Sequence, residues 1–187
     1  MKKNLVVVGY GGMGGWHVGH AQKSDVVNLL GIYDIDPKKS ELARERGIFA
    51  YDSLDDVLAD ERVDIVTVAI PNDSHLDTVV RSLKAGKNVI CEKPVAMNSA
   101  ELEEMIAAAE STGKIFSVHQ NRRFDVDYLA MKQIKESGEL GEIINIESRI
   151  HGSRGIPSDW RGVKEHGGGM VLDWGVHLID QLLQIFD

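Results

Sequence analysis

The chain has 187 residues, 43% hydrophobic and 27% charged, an ordinary globular balance with room for one well-buried core and part of a second. Its 29 acidic against 21 basic side chains give a net charge of −8 with the basic residues scattered, which argues against nucleic acid or an anionic membrane surface as a partner. No apolar run approaches the ~20 residues of a membrane span, MKKNLVVVG lacks the long apolar segment of an export signal, and a lone Cys91 excludes an internal disulfide and fits a reducing cytoplasm.

In chain order, residues 1–120 alternate short β-rich runs with amphipathic stretches of helical length. Strands are predicted at 4–8, 27–33, 64–69, 88–91 and 115–118, with a weaker one at 48–51; helices are predicted at 13–23, 37–46, 54–58, 74–84 and 99–111. LVVV and DIVTVAI are continuous apolar runs, the pattern of strands covered on both faces, so this βαβ alternation predicts an α/β, doubly wound parallel sheet of Rossmann type. Asn98 with Glu101 three residues on predicts a capping box, and Gly86 and Gly113 predict helix stops.

From 121 to 187 the pattern changes. A helix at 126–137 leads through GELGE into a predicted strand at 143–150, whose Ile144, Ile146 and Ile150 alternate with Asn145, Glu147 and Arg149, as in an open sheet packed on one face. A Gly/Ser/Pro-bearing loop, 151–165, and a final apolar helix complete it. One strand cannot make a sheet, so 121–187 reads as the start of an α+β substrate domain with an open sheet, incomplete in this chain.

Three groups of residues carry chemistry. Gly9, Gly11 and Gly14 form G-x-G-x-x-G between a strand and a helix, the arrangement for a tight turn, close approach to a pyrophosphate and close helix packing. Asp34, twenty residues after Gly14, is placed to accept ribose hydroxyls; with Asp36 beside it and no arginine following, NAD is expected before NADP. At the carboxyl ends of later strands stand Pro71-Asn72-Asp73-Ser74-His75, equally readable as a helix cap, and Glu92-Lys93-Pro94, in which Lys93 is either a half-buried lysine suited to proton transfer or a surface lysine paired with Glu92. In GGGMVLDWGVHLID, Asp173 and His177 share one helix face with Asp180 and Gln184, and the glycines would give the helix end room to approach a ligand. Asp173 and His177 alone do not complete a zinc site, so no metal is expected.

Taken in order, GYGGMG followed by His17, Asp34, P-N-x-x-H (Pro71, Asn72, His75), E-K-P (Glu92, Lys93, Pro94), N-R-R-F-D (121–125) and G-G-G-x-x-x-D-x-G-x-H-x-x-D (167–180) resemble the Gfo/Idh/MocA family, the relatives of glucose-fructose oxidoreductase and inositol dehydrogenase. The resemblance implies a Rossmann domain (1–120), a truncated C-terminal domain (121–187), and NAD(P)-dependent hydride transfer at a hydroxyl-bearing carbon of a sugar, cyclitol or glycoside. It implies Lys93, Asp173 and His177 as catalytic groups, with His177 taking the hydroxyl proton, Lys93 stabilising the developing alkoxide and Asp173 orienting the histidine or a substrate hydroxyl. It places Gly9, Tyr10, Gly11, Gly12, Met13, Gly14, Asp34, Pro71, Asn72, His75, Glu92, Lys93 and Asn121 at the cofactor, and Arg123, Trp160, Arg161, Asp173 and His177 at the substrate. Members are longer than this chain, and a homo-oligomer is implied for the longer parent. A non-catalytic NAD-binding sensor and an NAD-dependent glycoside-cleaving enzyme are the competing readings; retention of Lys93, Asp173 and His177 argues against the sensor.

Overall fold

Alternate residues of the first strand are buried in opposite directions, which settles how the sheet is covered. In β1 (Lys3–Val8), Val6 and Val8 belong to one apolar cluster with Val66, Val68, Leu83, Val89 and Met105, while Leu5 and Val7 belong to another with Val18, Ile32 and Ala43. A strand whose two faces both meet apolar side chains requires helices above and below. The computed structural model describes residues 2–151 and 159–186, in two units, Met1–His119 and Gln120–Asp187.

The first unit contains β1, α1 (Gly12–Ala21), β2 (Val27–Tyr33), α2 (Pro37–Glu45), α3 (Leu54–Ala59), β3 (Ile65–Val68), α4 (His75–Lys84), β4 (Asn88–Cys91), α5 (Ser99–Thr112) and β5 (Phe116–Val118). All strand pairs are parallel, in the order β2-β1-β3-β4-β5. The doubly wound sheet expected from the apolar runs is present. The weaker strand expected at 48–51 is reduced to a bridge between Ala50 and Ile32, which continues the sheet beyond β2. Its backbone still pairs: Ile32 N donates to Phe49 O and Tyr51 N to Ile32 O, each at 2.9 Å. Gly31 makes this approach possible, since a Cβ there would stand 2.5 Å from Phe49 O.

Helix ends follow local chemistry. Glu101 N donates to Asn98 Oδ1 at 3.0 Å, and the Glu101 carboxylate receives Met97 N at 2.9 Å, so the capping box closes one residue earlier than its usual reciprocal partner. Cys91 is fully buried in β4, and burial pushes its thiol well above the usual range.

The second unit begins with a 3-10 turn (Asn121–Phe124) and α6 (Val126–Ser137). After two further 3-10 turns (Trp160–Gly162, Lys164–His166) it ends in a π turn (Val171–Gly175) that runs into α7 (Val176–Phe186). The strand expected at 143–150 is not formed: these residues have no ladder partner among the described residues, and Ile144 is exposed. A strand's alternation becomes structure only when a neighbour supplies the hydrogen bonds. The loop expected at 151–165 lies in part, at 152–158, outside the described residues. Among the described residues no helix is long and apolar enough to cross a membrane.

The glycine-rich α1 yields a contrast in stability. Gly19 lies in a helix interior with nothing within 4 Å of an added Cβ, so Gly19→Ala is expected to stabilise the chain by about 0.5–1 kcal/mol. At Gly14 the Cβ would stand 1.8 Å from Gly9 O, so Gly14→Ala is expected to destabilise severely. Thermal denaturation of the two variants measures both.

Candidate cofactor site and catalytic residues

The chain passes from β1 into α1 through Gly9, Tyr10 and Gly11, and its three fingerprint glycines meet different constraints. Gly9 has φ +94°, and a Cβ there would come 2.3 Å from Ala69 O at the end of the neighbouring β3. Gly14 faces the carbonyl of Gly9. Both are fixed by the protein's own packing. Gly11 and Gly12 differ: nothing lies within 4 Å of a Cβ built on either, and both are exposed at the helix start. That free space beside the amides opening α1 suits the close approach of a dinucleotide pyrophosphate.

Asp34, just beyond β2, is tied into the same loop. Its Oδ2 accepts Tyr10 N at 2.6 Å and its Oδ1 accepts Asp36 N at 2.8 Å. The carboxylate is thereby oriented, and each oxygen retains a lone pair for a ribose hydroxyl. Tyr10 contributes only its backbone here, because its ring is buried in the core, where its hydroxyl accepts Arg46 Nη1 at 3.3 Å. Met13, half-buried, is the second residue of α1.

Past β3, Pro71 precedes a short 3-10 turn (Asn72–Ser74), with Asn72 buried. His75, expected at the cofactor, is fully buried, its Nδ1 3.2 Å from Val95 O and its Nε2 3.0 Å from Ile70 O. Burial lowers its pKa, and the ring lies between the loop after β3 and the loop after β4, against a carbonyl of each.

Glu92 is likewise turned inward. Its Oε1 lies 2.7 Å from His17 Nε2 and 2.9 Å from His119 Nδ1, and its Oε2 accepts Lys93 N at 3.3 Å. Burial by itself would raise this carboxyl, but the adjacent imidazoles of His119 and His17 outweigh it and pull the pKa down to about 2. The carboxylate therefore joins the first turns of α1 to the ends of β4 and β5. Lys93, half-buried, follows at the carboxyl end of β4, before a cis bond to Pro94.

In the sequence His17 stands only as the histidine after GYGGMG, and nothing local marks His119. The signal lies in strand order. Cys91 pairs with Val118, so the next positions, Glu92 and His119, are neighbours once β4 and β5 are known to be adjacent.

In the second unit, Arg161 gathers several of the expected residues. Its Nη1 lies 2.7 Å from Asp159 Oδ2 and its Nε 3.8 Å from Asp173 Oδ1, and its guanidinium stands 4.5 Å over the Trp160 ring. His177 is buried, 5.9 Å from the Trp174 ring across the junction of the π turn and α7. Arg123 is held by Asp180 at 2.8 and 2.5 Å, and Arg122 O accepts Gln181 Nε2 at 2.9 Å, so the turn that Asn121 opens is braced onto α7. The glycine run does not leave room for a ligand at every position. A Cβ on Gly168 would come 2.4 Å from Arg161 O, because the run packs beneath the turn at Trp160–Gly162.

The depressed pKa of Glu92 has a definite sign in stability. A carboxylate stabilised in the fold contributes above its ordinary value of 4.5, and that contribution is lost as pH falls from 4.5 towards 2. Glu92→Gln is expected to lower stability at neutral pH by on the order of 3 kcal/mol and to flatten its dependence between those limits, as measured by urea denaturation across pH.

Comparison with known proteins agrees with this architecture. A family model described as the oxidoreductase family with NAD-binding Rossmann fold (GFO_IDH_MocA) matches residues 3–120, and one for the GFO/IDH/MocA C-terminal domain matches residues 128–187. An uncharacterized oxidoreductase of Schizosaccharomyces pombe is 40% identical over 137 residues, 73% of this chain and 37% of its own length. The scyllo-inositol 2-dehydrogenase (NADP(+)) IolW of Bacillus subtilis is 31% identical over 134 residues, 71% of this chain and 37% of its own. The crystal structure of an NAD-binding protein from Listeria innocua superposes with a TM-score of 0.96 at 51% identity, covering all of this chain and 56% of that one. The chain thus spans roughly two fifths to just over half the length of these relatives. With the two family models matched in sequence order, the chain belongs to the Gfo/Idh/MocA oxidoreductases and carries their NAD-binding Rossmann fold.

Proposed function

We propose that this chain carries the cofactor cradle and the proton-handling groups of a dehydrogenase that acts on a CH–OH carbon of a sugar or cyclitol. The observation that carries the reading is the open space over Gly11 and Gly12 beside an Asp34 carboxylate already oriented by Tyr10 N. The residues fit a dinucleotide: Gly11 and Gly12 would face the pyrophosphate and Asp34 the adenosine ribose, while Pro71, Asn72, Lys93 and Asn121 are assigned to the nicotinamide side. The buried rings of Tyr10 and His75 and the engaged carboxylate of Glu92 support the site from beneath. The bound nicotinamide supplies hydride chemistry.

The protein's own residues balance charge. Lys93, at the end of β4, donates a hydrogen bond to the reacting oxygen and stabilises its developing negative charge. His177 accepts the hydroxyl proton, and Asp173, through Arg161 and the turn around it, orders the residues beside it. Trp160 and Arg161 present an aromatic face and a guanidinium to a polyol. Arg123 would serve the substrate only by giving up Asp180.

A carboxylate at Asp34 repels a 2′-phosphate, so NAD(H) is the favoured cofactor. The inositol dehydrogenase among the relatives favours a cyclitol among the substrate classes. The preparation is expected to quench and shift NADH fluorescence on titration. Gly11→Ala is expected to keep its melting temperature and bind NADH at least about tenfold more weakly, because the added methyl enters the pyrophosphate's space. Asp34→Ala is expected to lose preference for NADH over NADPH. In a chain extended to the length of its relatives, Lys93→Met is expected to keep NADH affinity and lose turnover of cyclitols, followed by NADH absorbance. Equal NADH binding by wild type and Gly11→Ala, or none by wild type, contradicts the cradle; turnover without net NADH formation favours the glycoside-cleaving reading.

A further inference from the structure

His17, Glu92 and His119 form a second arrangement, beneath the proposed cofactor cradle. Their donor atoms, His17 Nε2, a Glu92 carboxylate oxygen and His119 Nδ1, all lie within 4.8 Å of one another. Both imidazole nitrogens lie near the same oxygen, Oε1, at 2.7 and 2.9 Å; His17 Nε2 is hydrogen-bonded to it, whereas the buried His119 Nδ1 approaches without hydrogen-bond geometry and has no hydrogen-bond partner among the described residues. The side chains are 12%, 6% and 23% exposed, so the cluster is largely screened from water, with its opening on the side of His119. Each ligand comes from a different element: His17 from α1, Glu92 from the end of β4 and His119 from the end of β5.

From this geometry we propose that the triad is a binding site for a divalent transition metal of the Zn2+ class, with water at the position that His119 leaves open. Two imidazoles and a carboxylate are a donor set that suits zinc and its neighbours, whereas Mg2+ and Ca2+ prefer oxygen alone. At Zn–N and Zn–O distances of about 2.0–2.1 Å, tetrahedral donors stand about 3.3 Å apart. The two nitrogen–oxygen separations need to open by roughly half an ångström on this scale, within the reach of small side-chain rotations. An imidazole binds a metal through the lone pair of one ring nitrogen while its hydrogen sits on the other. The metal then replaces one hydrogen bond, from His17, and the unbonded approach of His119 Nδ1 by three coordinate bonds converging on one ion, and cross-links α1, β4 and β5 where the carboxyl edge of the sheet meets the phosphate loop. His20 lies outside the set: its Nδ1 is 2.9 Å from Trp16 O and its ring is stacked on Trp16 at 3.8 Å.

The test is titration of the metal-free protein with Co2+, read by its visible absorption and followed by displacement with Zn2+. The expected result is one equivalent bound per chain with a four- or five-coordinate spectrum, displaced by Zn2+. Affinity should fall at least about tenfold in His17→Gln and in His119→Gln and be unchanged in His20→Gln. Glutamine keeps an amide N–H for Glu92, and circular dichroism verifies the fold. Should either variant unfold, X-ray absorption of the Zn2+-loaded wild type decides, and two imidazole ligands at about 2.0 Å are required. Binding of less than one equivalent, affinity undiminished in both triad variants, or an all-oxygen six-coordinate spectrum overturns the proposal.

Discussion

The seating of α1 against the end of β1 is the constraint on which the first unit depends. Gly14 faces the carbonyl of Gly9, and Gly9 in turn packs against Ala69 at the end of β3. No larger residue fits at either point, so the chain accepts Gly14 within the helix at a cost of about 1 kcal/mol relative to alanine, to which Gly12, Gly15 and Gly19, with open space around them, add. Burial on both faces of β1 offsets that cost. With the helix in place, its first amides and the open space over Gly11 and Gly12 stand at the carboxyl edge of the sheet, where ligands of such sheets bind.

Two carboxylates then lock the loops around this edge by different means. Asp34 is partly exposed, is oriented by backbone amides and keeps lone pairs for a ligand. Glu92 is buried, and its carboxylate is met inside the protein by two imidazoles. The same functional group, a carboxylate, therefore fills two roles, set by burial and by the partners each one meets. The second unit uses ion pairs in the same bracing manner: Asp180 holds Arg123, and Arg161 stands between Asp159 and Asp173.

Much of the first unit was legible in the sequence because its signals are local. Continuous apolar runs marked strands covered on both faces, Asn98 and Glu101 marked a cap, and the glycine spacing marked the loop. The strand expected at 143–150 was not realised, since its alternation describes one partner of a ladder and the other is not among the described residues. Side-chain direction was the other hidden quantity. His75 and Glu92 sit in motifs near the expected site, yet the fold turns the imidazole toward two backbone carbonyls and the carboxylate toward His17 and His119. The glycines at 167–169 were read as space for a ligand, whereas Gly168 is pressed against the backbone of Arg161 and Val163.

The central claim is that the loop between β1 and α1, together with Asp34, receives a nicotinamide dinucleotide. The most direct measurement is an amide NMR titration of the 15N-labelled chain with NADH. The account predicts saturable shifts concentrated at Gly11, Gly12, Met13 and the residues flanking Asp34, with the core of β1 unmoved. Shifts centred elsewhere, or an unchanged spectrum at millimolar NADH, would contradict it.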